Sequence, residues 1–276
     1  MPRRSFRSCS LAQSISRITL IIFQFIELCG WANIRILYIF ALFMDKSVKE
    51  TLIGWAHQYN DPKYFKEDPI AFPRIFAGKY ACGEVSLADV EIAAVLSAHL
   101  AWGRRAMIVR DCGRMFEEMG WMPYDYVMAG DYRDEDVSLH RTIKWSEFAG
   151  ICGRLRGFYT ERTSLEGLSD TDFRVKVYGQ KEDRKAPNKK ISMMRRWMVR
   201  DDGKVDLGVW KNSDKRRLIL PLDVHVYGQA VELGLTSRRQ KDIVTAQEIT
   251  DAFREIFPDD PCLGDFALFG YGVNNR

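Results

Sequence analysis

The chain has 276 residues, 46% of them apolar and 12% aromatic, with a formal net charge of +4. Such values exclude a disordered polar tail and allow one large domain or two lobes sharing a core. The six cysteines, Cys9, Cys29, Cys82, Cys112, Cys152 and Cys262, are scattered with no C-x-x-C pair. That excludes the ligand spacing of a zinc ribbon or an iron–sulfur loop and leaves reduced cytosolic thiols as the default.

In chain order, residues 1–18 carry Arg3, Arg4, Arg7 and Arg17, and residues 19–43 are strongly apolar. Glu27 and Arg35 interrupt that run, and a charge near the centre of a membrane helix costs about 2.5–3.5 kcal/mol on insertion scales. Residues 1–43 therefore read as an extension outside the fold, with a membrane anchor as the alternative, and residues 44–276 as the domain. Leu52, Ile53, Trp55, Ala56 and Tyr59 recur at helical spacing until Asn60-Asp61-Pro62 stops them. Asp68-Pro69-Ile70-Ala71-Phe72-Pro73 reads as a rigid connection. Ser86 and Asp89 form a capping box that opens a helix over 87–102, apolar almost all round and hence central. Further helices are expected from Gly103-Arg104-Arg105 to Gly120 and over 145–159.

A charged loop at 180–185 precedes a helix over 189–200, with Ile191, Met194, Trp197 and Met198 on one stripe. Arg195, Arg196 and Arg200 are expected on its solvent side. Asp206-Leu207-Gly208 reads either as a turn that positions Trp210 or as part of a site. Asp223 caps a helix over 224–233 that ends at Gly234, a left-handed C-cap position. Thr245 to Glu248 is a capping box for a helix to Phe257, and residues 265–273 form a last buried helix. No internal repeat is present and β-hairpin signals are weak, so the fold class is mainly α.

Two residue types in this pattern carry chemistry. A lysine amine and an aspartate carboxylate brought together can cleave an N-glycosidic bond through a Schiff base. The carboxylate stabilises positive charge on the sugar as the base leaves. An amine stripped of its proton by burial attacks the anomeric carbon. Lys189, or the adjacent Lys190, and Asp223 are the candidates, 34 residues apart in the case of Lys189. The positive end of the helix after Asp223 favours a negative carboxylate there. His225 reads as a phosphate or Asp223 neighbour, or as a structural residue. Between Arg174 and Arg217 fifteen Lys or Arg stand against six Asp or Glu, an excess of nine that suits a polyanion; a solvated surface accounts for it equally. An ordinary helix cap accounts for Asp223, and a solvated helix start for Lys189.

The order Lys-x-x-Ser-apolar-apolar followed by apolar-Asp-x-His-Val resembles the helix-hairpin-helix (HhH-GPD) DNA glycosylases of the endonuclease-III class. The Val-Asp-x-Gly-x-Trp segment at 205–210 is similar to their archaeal 8-oxoguanine branch. Residues 193–210, 221–226 and 265–272 resemble, more closely, a bacterial family catalogued as domain-of-unknown-function family 2400, from Met44 to the C-terminus.

The resemblance implies a two-lobed helical glycosylase-like fold and base excision from DNA, with or without lyase action, on an oxidised purine. It implies catalysis by Asp223 with Lys189 or Lys190, and contacts to a flipped-out base and its strand from His225, Arg195, Arg196, Trp210, Trp102 and Phe269. For the aromatic residues, core packing is the competing expectation, and it extends to Phe266. No cofactor, metal or iron–sulfur cluster is expected; His57, His99, His140 and His225 lack ligand spacing. The partner implied is DNA, bound by a monomer in the cytoplasm at the nucleoid. One departure stands out. The turn before the lysine should be glycine-rich, so that its amides hold phosphate, but Arg184-Lys185-Ala186-Pro187-Asn188 contains no glycine. That departure keeps open a non-catalytic DNA- or RNA-binding protein. The Asp-x-His pair leaves open a hydrolase of another nucleoside or nucleotide.

Overall fold

The computed structural model describes residues 34–274, and residues 1–33, most of the expected extension, lie outside them. The described chain is mainly helical. In order come α1 (Ile34–Tyr59), α2 (Ala71–Ala81), α3 (Leu87–Leu100), α4 (Arg105–Glu118), α5 (Pro123–Ala129), a two-stranded ribbon β1 (Ser138–His140) and β2 (Ile143–Lys144), and α6 (Trp145–Glu161). After a π-helical turn, Phe173–Val177, follow α7 (Lys189–Val199), α8 (Val224–Glu232), α9 (Ile243–Ile256) and α10 (Leu263–Asn274). The boundary expected at residue 44 falls inside the unbroken α1. Among the described residues no helix is long and apolar enough to cross a membrane.

α3 is buried from Ala88 to Leu100, as its all-round apolar sequence requires. Its capping box is formed: Ser86 Oγ accepts from the Asp89 amide while the Asp89 carboxylate accepts from the Ser86 amide. Helices α2, α4, α5 and α7 pack around it. α10 is the second packing centre, against α1, α8 and α9. There Gly264 and Gly270 let Phe253 of α9 and Tyr59 of α1 approach the helix backbone closer than any Cβ would permit.

Several local expectations needed correction. Residues 71–81 are helix, because Pro73 sits in the first turn, where its missing N–H costs nothing. Residues 123–129 form a further short helix with Pro123 at its start. Thr245 is not a cap: Asp242 is, accepting from the Thr245 amide. The ribbon at 138–144 was missed because its strands are only three and two residues long and carry little alternation to read. Arg196 and Arg200, expected in solvent, are 4% and 1% exposed. They are drawn inside by buried carboxylates. Arg196 pairs with Asp206 and Asp265, and Arg200 with Asp206, Asp260 and Asp202. Asp206 is thus the centre of an ion-pair network rather than a turn residue alone.

Candidate functional site

Helix starts and two turns converge on a cavity of about 600 Å³. Its wall is built from the α3–α4 turn (Ala101, Trp102, Gly103), the first turns of α4, α7 and α8, the Asp68 turn before α2, and Asp265 and Phe269 of α10. Lys189, Arg196, Asp223, His225, Trp102 and Phe269 all line it, so six of the sequence candidates come together. The volume lies within the roughly 300–1,000 Å³ usual for small-ligand pockets.

Asp223 stands at the N-cap of α8 because its carboxylate takes the free amides of the first turn. Oδ1 accepts from His225 N at 2.8 Å and from Val226 N at 2.9 Å. Oδ2 makes no hydrogen bond among the described residues, so half of the acceptor capacity remains. Lys189 begins α7 and donates from Nζ to the carbonyl of Ala101 at 3.0 Å, which holds its amine against the α3–α4 turn. His225 packs edge-on to Phe269, with centroids 6.2 Å apart, and its buried Nδ1 has no hydrogen-bond partner.

Two further carboxylates, not singled out by the sequence, complete the wall. Asp68 accepts from Ile70 N at 3.2 Å, lies 4.0 Å from Arg105, and is pushed above the usual carboxylate range by burial. Asp265 is held by Arg196, yet burial, with the nearby Asp223 adding to it, raises it to about 6. A cavity with one lysine and three aspartates, one of them titrating near neutrality, can both transfer protons and stabilise a transient cation. Asp265 lay within a recognised motif, but nothing in its spacing marked it as facing Asp223.

The remaining candidates lie elsewhere. Lys190, the next residue on α7, points to a different wall. Its Nζ donates to His99 Nδ1 at 3.4 Å, and His99 Nε2 in turn donates to Glu147 at 2.9 Å. Burial, helped by Lys189, lowers Lys190 to about 8. Arg195 borders a neighbouring groove with Asp170 and Arg217, pairs with Asp170 at 2.7 Å and lies over Phe173. Trp210 is 1% exposed and donates its indole N–H to Glu91 at 2.7 Å; that is a core role, and so is that of Phe266, packed under Arg196 and Arg200. The basic stretch 174–217 is not one bare cationic face, because many of its arginines are spent on carboxylates. Among the described residues no group of three His, Cys, Asp or Glu is arranged to hold a metal ion.

Residues 68–182 and 169–274 match the family model described as protein of unknown function (DUF2400). The chain belongs to that family, and every cavity residue from Asp68 onward falls within the matched span. Neither a curated protein nor a solved structure matches the chain.

Proposed function

We propose that this protein is a DNA glycosylase of base-excision repair with an associated lyase step, acting on an oxidised purine. In this reading its helices are the two-lobed arrangement of the helix-hairpin-helix glycosylases, working on DNA as a monomer at the nucleoid. One observation carries the reading: Lys189 and Asp223, distant in sequence, wall the same cavity. The Ala101 contact turns Lys189 rather than Lys190 toward it. Trp102 and Phe269 supply an apolar wall for an extruded base.

The chemistry then runs as follows. As the glycosidic C1′–N bond breaks, its electron pair leaves with the base, and the Asp223 carboxylate stabilises the positive charge left on the sugar. Lys189 Nζ forms a bond to C1′, and the proton it surrenders goes to the departing base. Ring opening produces a Schiff base. Loss of a C2′ proton then expels the 3′-phosphate.

Borohydride reduction in the presence of duplex DNA bearing 8-oxoguanine tests this directly. A covalent adduct mapping to Lys189, absent in Lys189→Ala and kept in Lys190→Ala, is the expected result. No adduct and no base release from any oxidised-purine duplex would overturn the proposal.

A second reading, nucleic-acid binding without catalysis, is favoured by the glycine-free turn before α7. It predicts salt-sensitive DNA binding that is indifferent to Asp223→Asn.

A further inference from the structure

The turn before α7 has no glycine amides to hold a phosphate, whereas unpaired cations stand beside Trp102 of the cavity wall. Trp102 lies in the wall, and the guanidinium of Arg141, from the turn of the β1–β2 ribbon, sits 4.2 Å from its ring centroid. Gly103 makes room for this. Its φ is +105°, and a Cβ there would stand 2.6 Å from Arg141 Nη1.

The ribbon is fixed to the α3–α4 turn by His140, which is fully buried. His140 Nε2 bonds to the Trp102 carbonyl at 2.8 Å, and Nδ1 to Asp111 of α4 at 2.8 Å. Ser138 Oγ donates to the Arg141 carbonyl at 2.8 Å and closes the turn.

Arg141 itself is held at φ +55°. A left-handed backbone strains a side-chain-bearing residue and costs glycine almost nothing. The residue at this strained position carries a long cationic side chain. That side chain makes no hydrogen bond or ion pair among the described residues. Its contact with Trp102 uses charge, and leaves the N–H donors unspent. Arg104, in the turn beneath, is exposed and equally without a carboxylate, whereas Arg105 donates to the Tyr64 carbonyl at 3.3 Å and lies 4.0 Å from Asp68. One guanidinium therefore covers a tryptophan of the cavity wall, with a second unpaired arginine two residues along the chain from it, while Arg195 and Arg196 of α7 are paired with carboxylates.

We propose that Arg141, with Arg104 beside it, is a phosphate seat that holds the backbone of a nucleic acid against the cavity mouth, in place of a glycine hairpin. The proposal rests on the reading of the chain as a DNA-binding protein, but not on base excision. It also changes the role of Trp102: with one face covered by Arg141, the indole supports the seat rather than offering that face to a base.

The test is binding of the full chain to a duplex carrying a stable abasic-site analogue, measured by fluorescence anisotropy over a salt series. Arg141→Ala and Arg104→Ala are each expected to weaken binding about tenfold, and to make the slope of log K against log salt shallower by about one. Arg141→Gly is expected to bind as weakly while melting no lower than the parent, because it relieves the left-handed backbone. Lys211→Ala removes a cation already paired with Asp201 and is expected to leave the slope unchanged. Unchanged slopes in both arginine variants, a Lys211→Ala effect as large as theirs, or no DNA binding by the parent would each overturn the seat. Loss of affinity in the arginine variants of a protein that excises no base would support the seat while refuting the glycosylase reading. Base excision with an unchanged slope in those variants would do the reverse.

Discussion

Glu91 in the core and Asp223 at the cavity are both carboxylates that accept several hydrogen bonds, yet the structure uses them in opposite ways. Glu91 is fully buried in α3 and receives four donors: Tyr159 Oη at 2.8 Å, Ser164 Oγ at 2.6 Å, Leu165 N at 2.9 Å and Trp210 Nε1 at 2.7 Å. Both of its oxygens are engaged, and they tie the α6–α7 connection and the Trp210 segment to the central helix. Asp223 spends one oxygen on two amides of its own helix and keeps the other. The contrast teaches that burial and hydrogen bonding do not mark a reactive carboxylate. What sets Asp223 apart is an oxygen left free of hydrogen bonds in a residue that lines the cavity.

The largest effect that can break this contrast is on stability at Glu91. Glu91→Ala is expected to destabilise the fold by about 4 kcal/mol, since several buried donors lose their acceptor at roughly 1–3 kcal/mol each before relaxation. Urea unfolding measures it; a loss below about 1 kcal/mol would mean that Glu91 is no more structural than an exposed acid.

Asp223→Asn comes next. Turnover on a lesion duplex is expected to fall about 100-fold or more. The melting transition should barely move, because Asn caps a helix about as well as Asp. Equal losses of stability and activity would erase the distinction from Glu91.

Asp265 sharpens the contrast through pH. Burial raises it to about 6, above its unfolded value, so the folded protein holds that proton more tightly. Its contribution to stability is complete below about pH 4, the unfolded value, and is lost as pH rises through 6. Asn imitates the neutral acid, so the stability margin of the parent over Asp265→Asn should narrow between pH 4 and 7. Denaturant melts across that range would show it, and a widening margin would contradict it. The pH profile of turnover should also lose an ionisation near 6 in this variant.

The smallest effect separates Lys190 from ordinary lysines. Held to about 8, it is half deprotonated at pH 8, where a lysine of pKa about 10.4 is almost wholly charged. A limiting amount of a small acylating reagent at pH 8 should label Lys190 ahead of the exposed lysines, as read by peptide mass spectrometry. Labelling in simple order of exposure would argue against the burial of Lys190 beside Lys189 as the cause of its lowered pKa.

Local pattern alone was enough for the Ser86–Asp89 box, the Asp223 cap, the Gly234 stop at φ +72° and the stripe of α7. Each depends on residues within a few positions of one another, where side chain and backbone meet whatever the rest of the chain does. The same pattern, with a family resemblance, put Lys189 and Asp223 forward together. It could not divide Lys189 from Lys190, because the two differ only by the rotation of one residue about a helix whose orientation is a tertiary fact. It also misjudged Arg196 and Arg200, whose charges are tolerable inside only because Asp206, Asp260 and Asp265 arrive there from other segments.

Burial at Trp210, the spare oxygen of Asp223, the raised pKa of Asp265 and the stacking of Arg141 on Trp102 were all decided by the fold. They are properties of long-range neighbours, and sequence distance carries no record of those. What the amino-acid sequence determined by itself was a mainly helical chain with a lysine and an aspartate each opening a helix. Only the tertiary structure brought those two helix starts to one cavity, because the packing of α3, α7, α8 and α10 sets where their ends meet.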